Sequence, residues 1–119
     1  MTLLSLDHVQ LAIPPHVEEL ADEFYVGLLG FVRVEKPAAL APRGGCWYEQ
    51  GPTRLHLGVD SQFVPSAKAH VAFRVSDYDE LKARLRATNV RVTDDDEIPD
   101  LERFYTWDPF GNRLEMIRG

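Results

Sequence analysis

His8-Val9-Gln10-Leu11-Ala12-Ile13 and His70-Val71-Ala72-Phe73-Arg74-Val75 are two versions of one short segment, 62 residues apart. Each opens on histidine and then runs as a strand-like stretch. A second pair repeats 59 residues apart: Arg54-Leu55-His56-Leu57 and Arg113-Leu114-Glu115-Met116. If the halves are copies of one unit, His8 matches His70 and His56 matches Glu115. Imidazole and carboxylate are the side chains that ligate divalent metals. Here they fall at equivalent points of a duplicated module.

The flanking sequence supports the duplication. In the strand over 3–13, Val9, Leu11 and Ile13 point one way and His8, Gln10 and Ala12 the other, until Pro14-Pro15 ends it. Residues 16–29 read as a helix with Val17, Leu20, Ala21, Phe24 and Leu28 on its apolar face, stopped by Gly30. A short strand over 31–35 follows, then a Pro- and Gly-bearing loop over 36–45. Cys46–Glu49 and Arg54–Val59 form two strands around Gln50-Gly51-Pro52-Thr53.

Residues 60–69 connect the copies. The second copy has a strand over 70–75 and an N-cap at Ser76. Its helix over 77–88 carries Tyr78, Leu81, Leu85 and Thr88 on one stripe. A strand over 90–92 leads to an acidic loop over 93–102. A final hairpin pairs Phe104–Trp107 with Arg113–Ile117 around Asp108-Pro109-Phe110-Gly111-Asn112.

Each half therefore reads β-α-β-β-β, an α+β fold. The expected architecture is one domain over 1–119, with module one about 3–59 and module two about 70–118. The two modules form a curved mixed sheet with helices on the outer face. The other face is polar and concave and carries His8, Gln10, Trp47 or Tyr48, Arg54, His56, His70, Arg74, Arg113 and Glu115. That face is where chemistry is expected.

The chain has 119 residues, 45% hydrophobic and 27% charged, the profile of a globular protein with an ordinary core. A net charge of −6 argues against a nucleic-acid partner. The acidic run Asp94-Asp95-Asp96-Glu97 reads as a solvated loop. The single cysteine, Cys46, excludes an intramolecular disulfide and reads as a buried structural thiol. No apolar run approaches the roughly 20 residues of a membrane span, and Met1–Ser5 lacks the features of a signal peptide. A cytoplasmic protein is expected. His16, after two prolines, is expected at the surface.

Four stretches carry a resemblance: Leu6-Asp7-His8-Val9-Gln10-Leu11-Ala12, Phe24-Tyr25-Val26-Gly27-Leu28-Leu29-Gly30-Phe31, His70–Val75 and Trp107-Asp108-Pro109-Phe110-Gly111-Asn112-Arg113-Leu114-Glu115. From about 5 to 118 the chain resembles the vicinal oxygen chelate superfamily. That group includes glyoxalase I, fosfomycin and bleomycin resistance proteins and extradiol dioxygenases. The resemblance implies a homodimer and a divalent metal, Zn, Ni, Fe or Mn. It implies His8, His70 and Glu115 as ligands. His56 occupies the position where glyoxalase I-like members place a carboxylate, leaving it as a fourth ligand or as an acid/base group. Tyr105, ten residues before Glu115, is by resemblance a pocket hydrogen-bond donor; packing within its hairpin is the other reading. Gln10, Trp47 and Arg74 are pocket candidates, as is Arg113 unless it is only a turn residue. Trp107 and Phe110 read as packing.

The function expected first is a metal-dependent, glyoxalase-like lyase or isomerase. It would move a proton on a small-molecule substrate chelated through adjacent oxygens, with His56, Glu115 and Tyr105 catalytic. An extradiol-type dioxygenase with a His8, His70, Glu115 iron triad is the alternative, although most such enzymes carry an additional domain. A bleomycin resistance-type dimer that binds a drug without turnover is another, which the retained ligand residues argue against. Fosfomycin thiol transfer ranks last, because the segment from Glu115 to Gly119 leaves no room for a basic tail residue.

Overall fold

The computed structural model describes residues Met1–Gly119, which divide into two compact units, Met1–Phe63 and Val64–Gly119. In the first unit the order is β1 (Val9–Ile13), α1 (Glu18–Tyr25), β2 (Val32–Val34), β3 (Cys46–Gln50) and β4 (Thr53–Val59). In the second it is β5 (Val71–Val75), α2 (Tyr78–Ala87), β6 (Val92–Asp95), β7 (Arg103–Trp107) and β8 (Arg113–Arg118). The βαβββ reading therefore holds twice. The mixed sheet takes the form of two four-stranded ladders, β1-β4-β3-β2 and β5-β8-β7-β6.

The pairing inside each ladder is the same. The first strand runs parallel to the last, β1 with β4 and β5 with β8, while the other neighbours are antiparallel. Parallel partners need a long crossover, which the helix and the intervening strands supply. The register matches as well: Gln10 lies opposite His56, and Ala72 opposite Glu115.

Alternation sorts the side chains. Ile13, Cys46, Tyr48, Leu55 and Leu57 are buried with Ala21, Phe24 and Tyr25 of α1. Phe104, Leu114 and Met116 are buried with Tyr78, Leu81 and Leu85 of α2. Tyr48 thus belongs to the core, which leaves Trp47 for the polar face. The Tyr48 hydroxyl donates to Asp22 Oδ1 at 2.6 Å, and Arg33 Nη1 reaches Asp22 Oδ2 at 2.7 Å. Cys46 is buried, and burial pushes its thiol up.

Several expected boundaries shift, each for a local reason. The ladder begins at Val9, and Leu3, Leu4 and Leu6 are exposed. Helix α1 stops at Tyr25, where the bonding slips to Gly27 N→Asp22 O and Leu29 N→Phe24 O, and Gly30 turns the chain at φ +82°. Leu20 is exposed and Tyr25 fully buried, because the inward stripe runs through residues 21, 24 and 25. The 36–45 loop contains a 3₁₀ turn over Ala38–Arg43.

In the second unit the N-cap is Asp77 rather than Ser76, and it makes no side-chain cap bond. Asp94 and Asp95 lie on β6 rather than in the acidic loop, and both are paired. Asp94 takes Lys82 Nζ at 2.6 Å and Arg86 Nη2 at 3.4 Å; Asp95 takes Arg103 Nη2 at 3.3 Å.

The β7–β8 hairpin shows why an Asp-Pro-Phe-Gly-Asn loop suits its place. Asp108 is buried; its Oδ1 accepts from the backbone N–H of Phe110 and of Asn112, each at 2.9 Å. Its Oδ2 accepts from Asn112 Nδ2 at 2.9 Å, and Gly111 closes the turn at φ +95°. Asp108→Ala strips those donors of their partner. It is expected to lower unfolding stability by about 2–4 kcal/mol, read from urea unfolding with an unchanged m-value. A loss under about 0.5 kcal/mol contradicts this account of the loop.

Candidate functional site

In the first unit the polar face centres on a stack of three rings. The His56 ring lies 4.0 Å from Trp47 at an interplanar angle of 5°, and 4.1 Å from His8 at 21°. Strand register explains the order, since Gln10, His56 and Trp47 stand side by side on β1, β4 and β3. His8 sits one residue before β1 and folds onto the outer face of His56. His8 Nδ1 pairs with Asp7 Oδ2 at 2.9 Å, and Asp7 Oδ1 takes Arg54 Nη1 at 3.2 Å. The hydrogen bond from His8, with Arg54 nearby, holds the Asp7 carboxyl below its usual range. His56 is 8% exposed. Burial first, and then the neighbouring His8, push its imidazole below the ordinary histidine value.

A cavity of about 550 Å³ opens over this face. Its lining includes His8, Gln10, Trp47, Arg54 and His56. Gly58 leaves the space that the Gln10 amide fills, because a Cβ there would meet Gln10 Nε2 at 2.6 Å.

In the second unit the centre is Glu115, a carboxylate on β8 only 6% exposed. His70 Nε2 lies 2.8 Å from its Oε1, and Arg103 Nη1 donates to its Oε2 at 3.2 Å. Tyr105 is the β7 neighbour of Glu115. Its ring meets His70 edge-on at 5.6 Å, with the guanidinium carbons of Arg113 and Arg103 at 4.8 and 5.5 Å. Arg113 donates from Nη2 to the Lys68 carbonyl at 2.9 Å, so it is more than a turn residue. Arg74 is exposed and stands outside this hydrogen-bonded group. Trp107 packs under the Arg91 guanidinium at 3.8 Å, and His16 is exposed.

The four expected ligands are therefore seen as two pairs, His8 with His56 and His70 with Glu115, one in each unit. Neither unit gathers three or more His, Cys, Asp or Glu side chains into a metal site by itself. The pairs differ in how well they suit a cation. His70 Nδ1 has the Lys68 carbonyl, an acceptor, at 2.8 Å and Arg113 Nη2, a donor, at 3.2 Å. With the proton on Nδ1, toward the shorter contact, the Nε2 lone pair faces the Glu115 carboxylate. Two acceptors 2.8 Å apart require a positive centre between them, a proton or a metal ion. Donors about 2.1 Å from a common ion stand about 3 Å from each other, so this pair fits a divalent metal. The carbonyl bond to Nδ1 is the supporting contact that orients a ligating imidazole.

The His8–His56 pair fits less well. Imidazole lone pairs lie in the ring plane. Two stacked rings with centroids 4.1 Å apart and planes tilted by 21° do not bring their in-plane lone pairs together within the roughly 2.1 Å reach of a metal–nitrogen bond. As placed, one ring of this stack can ligate a given ion, and the other is left for proton transfer.

Arg103 is the functional residue that sequence reading missed. It joins Glu115 to Asp95 and shares the face of Tyr105 at a two-residue step. A strand starting at Arg103 instead of Phe104 puts it opposite Ile117, on the same face as Tyr105 and diagonal to Glu115.

No family model matches the chain, and no curated protein matches it. Among solved structures, a glyoxalase family protein from Bacillus anthracis is 42% identical over 100% of this chain and 98% of its own, with a TM-score of 0.95. A glyoxalase/dioxygenase from Nostoc punctiforme is 19% identical over 98% of this chain and 92% of its own, with a TM-score of 0.80. The fosfomycin resistance protein FosX from Listeria monocytogenes is 13% identical over 99% of this chain and 93% of its own, with a TM-score of 0.82. The last two likenesses show the fold alone.

The surroundings of His56 set a pH dependence. Its folded pKa lies below the unfolded value of about 6.5. Its contribution to stability is therefore full above about pH 6.5 and is lost as pH falls through the lowered folded value. Proton NMR of the metal-free protein is expected to show His56 titrating below about 6.5. His56→Gln is expected to flatten the loss of stability on the acid side. Titration of His56 above that value contradicts the reading.

Proposed function

The chain belongs to the glyoxalase family of the vicinal oxygen chelate superfamily, and on that premise we propose that it is a divalent-metal-dependent enzyme. The reaction is of lyase or isomerase type, a proton transfer next to a carbonyl on a small molecule that presents two adjacent oxygens. The observation that carries the proposal is the His70 Nε2–Glu115 Oε1 approach at 2.8 Å around a buried carboxylate. In this reading His70 and Glu115 are the metal ligands of the second unit, and in the first unit His8 is the ligand candidate while His56 stays free as the base. A bound divalent ion supplies Lewis-acid stabilisation of charge that develops on a substrate oxygen.

The protein's own groups divide the remaining work. His56, held neutral near pH 7 by burial, accepts the substrate proton and returns it. The flat, rigid Trp47–His56 stack orients that imidazole. Arg103 anchors one oxygen of Glu115 and leaves the other facing His70. Tyr105, held among His70, Arg103 and Arg113, is the hydroxyl available to the substrate. No helix is long and apolar enough to cross a membrane. A cytoplasmic homodimer is part of the same proposal, and the exposed Leu3, Leu4 and Leu6 are apolar surface that a second copy would cover.

Elemental analysis of freshly purified protein is expected to find about one divalent ion per chain. Glu115→Gln and His70→Gln, each close in shape to the original, are expected to lose most of it. Equal metal content in the wild type and both variants defeats the proposal.

A further inference from the structure

The first-unit cavity has features that the metal reading does not use. Its outer wall is the 3₁₀ turn Ala38–Arg43, which brings Leu40 and Arg43 to the lining, with Lys36 just before it. The turn is fixed at its end. Gly44 and Gly45 have φ of +71° and +85°, and a Cβ on Gly45 would collide with the Leu57 carbonyl. The Gly45 N–H donates to Glu18 Oε2 at 2.8 Å, and the Lys36 ammonium donates to the Gly44 carbonyl. Arg43 is therefore presented by an anchored turn, although its own side chain is exposed.

The charges along this lining do not cancel. Arg54 is neutralised by Asp7 at 3.2 Å. Lys36 has a neutral carbonyl as its partner, and Arg43 makes no hydrogen bond or ion pair. Glu49 is the only other carboxylate in the lining. Lys36, Arg43 and Arg54 against Asp7 and Glu49 leave the cavity with a net positive charge, on a chain whose net charge is −6. Unpaired cations beside a concave site attract and orient anions, and a guanidinium grips a carboxylate through two parallel bonds. Leu40 and the Trp47 indole supply apolar surface in the same cavity.

We infer that this cavity selects a small carboxylate bearing a flat apolar group, with Arg43 as the residue that determines selectivity for the anion and Lys36 as its support. The inference rests on reading the cavity as the substrate site and names the substrate class. Its ligand is an acid whose carboxylate sits under the 38–43 turn and whose planar part lies toward Leu40 and Trp47.

The test uses full-length protein stripped of metal, so its outcome is independent of the metal assignment. Phenylglyoxylate and its uncharged amide, phenylglyoxamide, are titrated by calorimetry, with the Trp47 indole N–H followed by NMR. The acid is expected to bind at least about tenfold more tightly than the amide and to shift the Trp47 resonance. Arg43→Gln is expected to remove most of that difference while leaving amide binding and the melting temperature unchanged, and Arg43→Lys to restore part of it. Metal content of Arg43→Gln is expected to equal that of the wild type. Equal affinity for acid and amide, no binding of the acid, or an acid affinity indifferent to Arg43→Gln each overturns the inference.

Discussion

The parallel pairing of the first strand of each unit with its last is the constraint on which the site depends. The chain must leave β1, cross over through α1 and two further strands, and return as β4 beside its starting point. The second unit repeats the path from β5 to β8. Because the side-chain period of a strand is two, a one-residue slip in either ladder would turn His56 or Glu115 into the core. The register Gln10–His56 and Ala72–Glu115 keeps both on the polar face and puts the preceding histidine within reach of each. The apolar residues on the opposite side, Leu55 and Leu57 in one unit and Leu114 and Met116 in the other, enforce that register by being buried against the helices.

The duplicated scaffold has diverged in its chemistry. In the first unit the pair became two imidazoles that stack on each other and on an indole. That arrangement favours a neutral, rigid, partly desolvated base. In the second unit it became an imidazole facing a buried carboxylate whose other oxygen is tied to Arg103. That arrangement leaves Oε1 of the carboxylate facing an imidazole nitrogen. In the proposed function the first pair handles the proton and the second holds the ion. A proton-transferring enzyme that uses a metal needs both capacities.

The fold was legible because its signals are local and repeated. Alternation in the paired segments around His8 and His70, the Gly30 stop and the Asp108–Asn112 turn each act over a few residues. Helix stripes were legible in part. Tyr78, Leu81 and Leu85 are buried as expected, but Leu20 is not, since an aromatic ring at Tyr25 fills the space near Tyr48 and Phe31. Pairing of Asp94 and Asp95 with Lys82 and Arg103 was hidden because those cations come from other elements. Of the site, the duplication singled out His8, His56, His70 and Glu115, which the structure places as two pairs, one in each unit. Their geometry was not legible. A ring stack and an imidazole–carboxylate contact depend on rotamers that residue spacing does not specify, and Arg103 escaped because it lies one residue outside the expected strand.

The central claim is that His70 and Glu115 hold a divalent ion together. X-ray absorption at the metal edge, on protein loaded with zinc, tests it most directly. The account predicts a first shell of nitrogen and oxygen donors near 2.0–2.1 Å, with imidazole scattering that loses one histidine in His70→Gln. A shell of oxygen alone, or one unchanged in His70→Gln, would contradict it.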